Sequence, residues 1–101
     1  MPTPPTIFPF TAKLIAGAPE HAGVYVLWLE DEEIYFGHAK GGATTIRSCL
    51  LDHFSGVRGA CTRRASHYTW ELALRPAERE RELIEEYRQR NSHLPYCNAR
   101  R

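Results

Sequence analysis

Four consecutive acids, Glu30-Asp31-Glu32-Glu33, interrupt an otherwise apolar stretch and force the chain to turn. Val24 to Leu29 lies on one side and Ile34 to Phe36 on the other, both β-branched and aromatic in character. Carboxylates are not buried unpaired. The acids are therefore expected in water, with the two runs folded back on each other as a β-hairpin. Side chains alternate across a strand, which puts Tyr25, Leu27 and Leu29 on one face and Val24, Val26 and Trp28 on the other. Gly23 opens the first run, and Gly37 closes the second where a larger residue would block close approach to the backbone. Tyr25 and Tyr35 each stand two residues from one of these glycines, beside the loops where a scaffold presents chemistry.

A chain of 101 residues is expected to build a single small domain with one core. Its net charge of +1 gives no whole-molecule attraction to nucleic acid, so any basic face must be local. No apolar run reaches the length of a membrane span, and no membrane partner is expected. The first residues lack a charged-then-apolar signal pattern, so secretion is not expected. Cys49, Cys61 and Cys97 are odd in number and widely spaced, which reads as free thiols in a reducing compartment, the cytoplasm by default.

Residues 1–20 are read as an N-terminal arm packing on a domain that occupies 21–101. Prolines at 2, 4, 5 and 9 make Met1 to Pro9 an extended segment without regular structure, with Ile7, Phe8 and Phe10 able to pin it to the core. Thr11 is the expected N-cap of a short turn of helix reaching Ala16. After Gly37 and the turn His38 to Gly42, a helix is predicted from about Ala43 to Phe54, with Ile46, Cys49, Leu50, His53 and Phe54 inward. Arg47 falls at the edge of that stripe, where its stem can pack and its guanidinium reach a site. Ser55 to Ser66 reads as a loop holding Arg58, Arg63 and Arg64. His67 to Leu74 reads as a third strand with Tyr68, Trp70, Leu72 and Leu74 on one face. A second helix is predicted from Arg75-Pro76 to about Arg90. The result is an α+β domain, a three-stranded, mainly antiparallel sheet flanked by helices.

One carboxylate in the second helix breaks its pattern. At about 100° per residue, Ala77, Leu83, Ile84 and Tyr87 fall within roughly 60° of Glu80, while Glu78, Glu82, Glu85 and Glu86 occupy the outer half. A carboxylate on a buried face needs compensation. A structural ion pair, with Arg47 for example, would supply it, and so would a divalent metal at the rim of the core. A zinc site is a weaker alternative: His93 and Cys97 have ligand-like spacing and Cys61 and His67 lie elsewhere, but no paired C-x-x-C is present.

Gly23-Val24-Tyr25 and Tyr35-Phe36-Gly37, at this separation, resemble the signature of the GIY-YIG nuclease family. The resemblance runs from roughly Gly23 to Asn98. Glu80 ahead of Leu83-Ile84 is similar to the family's metal-binding glutamate, three residues before an apolar pair. Arg47 is similar to the arginine of its first helix, His53 to a histidine of several branches, and Asn98 after Pro95 to its late asparagine. His38 stands where several members have lysine, with Lys40 nearby, and the interval from Gly37 to Arg47 is slightly long.

The resemblance implies hydrolysis of DNA phosphodiesters with one divalent ion, Mg²⁺ or Mn²⁺, held by Glu80. Arg47 would stabilise charge on the phosphate. Tyr25 and Tyr35 would orient or deprotonate the attacking water. A free phenol titrates near pH ~10, so His38 would help them or act as the base itself. Asn98, Gly23, Gly37 and His53 would shape the site, and Lys40, Arg58, Arg63 and Arg64 would meet phosphates. Specificity would come from this domain, a homodimer or a partner protein. The competing expectation is a catalytically silent nucleic-acid- or protein-binding module on the same fold, with the four acids of the hairpin repelling DNA.

Overall fold

The computed structural model describes residues 6–99. Pro2, Pro4 and Pro5 of the arm, and the terminal Arg100 and Arg101, lie outside the described residues. Along the described chain the elements are β1 (Phe8–Pro9), α1 (Ala12–Ile15), β2 (Gly23–Leu29), β3 (Glu32–Ala39), α2 (Ile46–Ser55), α3 (Ala60–Arg63), β4 (His67–Leu72) and α4 (Pro76–Asn91). No described helix is long and apolar enough to cross a membrane.

The acidic block makes the hairpin as expected. β2 and β3 pair antiparallel, with Leu29 opposite Glu32 and a turn at Glu30-Asp31 in which Glu30 takes a left-handed φ of 56°. The fourth acid does not sit in open water. Glu33 belongs to β3 and its half-buried carboxylate lies 3.6 Å from the Arg90 guanidinium. The sheet is α+β in setting and antiparallel, but it has four strands rather than three, in the order β1-β4-β2-β3. The extra strand is the arm: Phe8 lies opposite Tyr68 and Pro9 opposite His67. Proline is compatible with this position because β1 is an edge strand and one side of its backbone needs no ladder donor.

One bulge decides what the second tyrosine faces. The register slips between Leu27, opposite Tyr35, and Trp28, opposite Glu33, leaving Ile34 as the extra residue. Ile34 and Tyr35 therefore both join Tyr25, Leu27, Ile46, Cys49 and Leu50 in the larger core. On the other face Val26, Phe36 and Tyr87 form a smaller cluster with Trp28, Leu83 and Ile84. The alternation read from the sequence holds on both faces of β2.

The helices differ from expectation at their ends. Thr45 accepts from the Ser48 amide while the Ser48 side chain accepts from the Thr45 amide, a capping box that starts α2 at Ile46 rather than Ala43. α2 stops at Gly56, whose φ of 87° lies in the left-handed region that favours glycine. Ile46, Cys49, Leu50 and His53 are buried as predicted, but Phe54 turns outward and meets Phe10 edge to face, 5.4 Å between ring centres. The predicted loop between α2 and β4 contains α3. β4 ends at Leu72, because its partner there, Gly23, is the first residue of β2. Leu72 and Leu74 are consequently exposed rather than inward. In α4, which starts on Pro76, Glu80 and Tyr87 are the buried residues.

After α4 the chain returns along the open edge of β3. The Cys97 amide donates to the Ile34 carbonyl at 2.8 Å. The Asn98 side chain accepts from the Phe36 amide at 2.8 Å and donates to the Phe36 carbonyl at 3.0 Å, so one amide group replaces a missing ladder partner. The cysteines are not three free thiols. Cys61 and Cys97 form a disulfide and Cys49 alone is free and buried. Their separation of 36 residues hid the pairing, which depends on the C-terminal segment crossing to α3.

Candidate active site

The sheet divides the sequence-predicted site residues between its two faces. On the α2 face the Tyr25 ring lies flat on Gly37, where any β-carbon would overlap it. This is the close approach expected of a glycine at the end of the second tripeptide. The Tyr25 hydroxyl and His53 Nε2 share a hydrogen bond of 2.9 Å, and His53 Nδ1 shares one of 2.7 Å with the Thr62 hydroxyl. The Tyr35 ring packs on both, its centre 6.2 Å from Tyr25 and 4.9 Å from His53. Burial, joined by the neighbouring Tyr35 and Cys49, pushes the Tyr25 phenol well above its usual range, and Arg58 only partly opposes this. Burial, with Arg58 adding to it, pushes His53 down to about 4. Near neutral pH the chain Tyr25–His53–Thr62 is thus uncharged, and the Tyr25 hydroxyl serves as a hydrogen-bonding group rather than an anion. Beside it opens a cavity of about 430 Å³ lined by Tyr35, His53, Arg58, Thr62 and the two bonded cysteines.

On the α4 face Glu80 is 6 % exposed, in the middle of the apolar stripe as its position predicts. Its compensation includes His38, whose Nδ1 lies 3.2 Å from the Glu80 carboxylate. A carboxylate accepts, so Nδ1–H is the donor, and the pair turns the imidazole's Nε2 edge away from it. The His38 side chain remains 36 % exposed, so the pair sits at the rim of the core and touches solvent through its histidine.

Arg47 belongs to neither group. Its Nε donates to the Ala18 carbonyl at 2.8 Å and its guanidinium pairs with Glu20. The ion pair foreseen between Arg47 and Glu80 is therefore replaced by Arg47 with Glu20 and Glu80 with His38. Nor do the two phenols share a face with Glu80. Of the four cations assigned to phosphate, Lys40 is exposed just beyond β3. Arg58 lines the cavity and lies 3.5 Å from Asp52. Arg63 lies against Gly56, and Arg64 covers the Tyr96 ring at 5.6 Å. Asn98 has the backbone-fixing place expected for it, and Gly23 packs against Glu71 and Ile46.

Among the described residues no group of three or more His, Cys, Asp or Glu side chains is arranged to hold a metal. The zinc alternative is removed, because Cys61 and Cys97 are bonded to each other. Mg²⁺ asks for less: one or two carboxylates, with waters and substrate phosphates completing the shell. Glu80 fits that donor chemistry, and Mn²⁺ accepts the same oxygen ligands.

Sequence reasoning missed Thr62 and the disulfide. Thr62 follows His53 by nine residues, across two glycines, so no helical period connects them. Comparison with protein-family models, with curated proteins and with solved structures returns no match.

Proposed function

We propose that this domain hydrolyses phosphodiester bonds in DNA at the α4 face of its sheet, with Glu80 and His38 at the centre and Mg²⁺ or Mn²⁺ as the metal. One observation carries the reading. A carboxylate is buried on the helix face that carries Leu83, Ile84 and Tyr87, and holds the His38 imidazole; its position resembles that of the GIY-YIG glutamate. An acid with no task would be replaced there by an apolar residue at little loss.

A bound metal would supply a Lewis acid and a more acidic water. The chain's own groups do the rest. Glu80 orients His38 through Nδ1, and Nε2 accepts a proton from the attacking water. Tyr25, wedged on Gly37, fixes the backbone beside His38 instead of acting as base. Arg47 reaches the phosphate by releasing Glu20, an exposed carboxylate whose pairing is weak. Lys40, just beyond β3, contacts backbone phosphates without reading sequence, whereas Arg58, Arg63 and Arg64 lie around α3 on the other side of the sheet, and a second copy or a partner protein supplies specificity. The cytoplasmic setting no longer rests on free thiols.

The second reading, a silent binding module, is favoured by the placement of both phenols opposite Glu80. Cleavage of plasmid and branched DNA with Mg²⁺ or Mn²⁺ separates the two. The nuclease reading expects wild-type nicking, with Glu80→Gln and His38→Ala each slower by about a hundredfold or more. DNA retention with equal inertness of wild type and Glu80→Gln on every substrate gives the binding module. A pH–rate profile unchanged in shape by His38→Ala would take the base role from His38.

A further inference from the structure

The Cys61–Cys97 disulfide joins two segments of very different anchorage. Cys97 sits in a strip fixed to β3 by its own amide on the Ile34 carbonyl and by both hydrogen bonds of Asn98 on Phe36. Cys61 sits in α3, four residues long and reached from α2 through Gly56 and Gly59, both at positive φ. Besides the disulfide, α3 is held by the Thr62 hydroxyl on His53 Nδ1 and, past its C-terminal end, by Ala65 in the larger core and the Ser66 amide on the Trp28 carbonyl. Both sulfurs line the same cavity as Tyr35, His53 and Arg58. The bond therefore joins a short helix entered through two glycines to a strip fixed along the edge of β3.

We infer that Cys61–Cys97 is a reversible redox latch at this cavity: when it is intact, α3 keeps His53 and Tyr35 covered in the cavity wall, and when it is reduced, α3 swings on Gly56 and Gly59 and exposes them to solvent. The inference does not rest on the hydrolytic reading, since cavity and latch lie on the α2 face and the test reads no activity. A dithiol is the reductant. Its thiolate attacks the Sγ of Cys61, the less buried of the two residues; the Cys61–Cys97 bond breaks and Cys97 leaves as a thiolate that takes a proton from water. The second reductant thiol, as thiolate, then attacks the mixed disulfide, closing the oxidised reductant and releasing Cys61. Two electrons and two protons reach the protein, and the reductant loses the same.

Opening also changes what His53 can titrate with. Its polar and titratable neighbours are Tyr25 from β2, Tyr35 from β3, Cys49, Asp52 and Arg58 on and just after α2, and Thr62 from α3. Burial is the first cause of its low proton affinity, so admitting water raises that affinity even with every charge in place.

The experiment follows the five imidazoles by NMR across a pH titration, with and without dithiothreitol, assigning His53 through His53→Gln. Thiol counting sets the redox state, with one reactive thiol in unfolded oxidised protein and three after reduction. The expected result is a folded reduced protein in which His53 titrates at least one unit higher. Cys61→Ser/Cys97→Ser should reproduce the shift without reductant, and reoxidation should reverse it. The latch is overturned if His53 titrates unchanged with three thiols free, if three thiols are free before any reductant, or if reduction unfolds the sheet, which would make the bond a structural staple. Should the double variant fail to fold, the reduced wild-type protein still decides the matter.

Discussion

On the α2 side of the sheet the polar groups are closed off from water and matched to one another: Tyr25 to His53, and His53 to Thr62. On the α4 side Glu80 is nearly as buried, yet its partner His38 reaches the surface. The first arrangement keeps its groups uncharged and rigid. The second holds an acid in the middle of an apolar stripe and connects it to solvent through an imidazole. Buried polar chemistry can thus serve packing or reactivity, and the exposure of the last member of the network separates the two.

The sharpest way to break this contrast is pH. His53 is 1 % exposed and its proton affinity lies near 4, against 6.5 in the unfolded chain. Between those values the unfolded chain binds a proton that the folded one refuses. The contribution is complete above the unfolded value and disappears as pH falls toward the folded one. Over that window about 3 kcal/mol should be lost. Urea denaturation at pH 7 and pH 4.5, compared with His53→Gln, isolates the effect from the carboxylates. A variant as acid-sensitive as wild type would place His53 outside the network.

Gly37→Ala attacks the same face through shape. The new methyl group would overlap the Tyr25 ring, which has a rigid core behind it and can move only by leaving His53. Overpacking of this kind costs about 2 kcal/mol, with roughly one more for a damaged hydrogen bond. Thermal unfolding should shift down by roughly 10 °C or more. In a Tyr25→Phe background the penalty should shrink, since the hydrogen bond is already gone, and that coupling is the measurement.

Much of this contrast is legible in the sequence, and the remainder fails for identifiable reasons. Alternation in β2 separates Tyr25 from Val26 and holds, because the acidic turn pins the register. The wheel position of Glu80 predicts its burial because α4 has a single apolar stripe. The same patterns do not reveal that Tyr35 and Glu80 face opposite ways. That depends on the bulge at Ile34 and on which face of the sheet α4 covers, both set by tertiary packing. The arm's strand at Phe8 escapes notice since prolines mask it, and the disulfide joins segments that no local period relates. Arg47 lies at the edge of α2's inward stripe as its spacing from Ile46 predicts, but its partner, Glu20, comes from a loop with no pattern to read.

Glu80→Leu should have the smallest effect on stability, and it tests the other half of the contrast. The substitution removes a carboxylate from among Leu83, Ile84 and Tyr87 and puts in a side chain suited to that stripe. It leaves His38 without this acceptor, but the imidazole is 36 % exposed and can turn to water, unlike His53, which has no such exit. Replacing a buried ionic partner with a well-packed apolar one is often neutral or stabilising when no charge is stranded. Stability at pH 7 should therefore change by less than about 1 kcal/mol in either direction. Denaturation and DNA cleavage measured on the same variant then show what Glu80 is for. Unchanged stability with lost cleavage assigns the acid to chemistry. A loss of about 3 kcal/mol or more would instead make Glu80 a structural group like those on the opposite face, and the distinction between the faces would disappear.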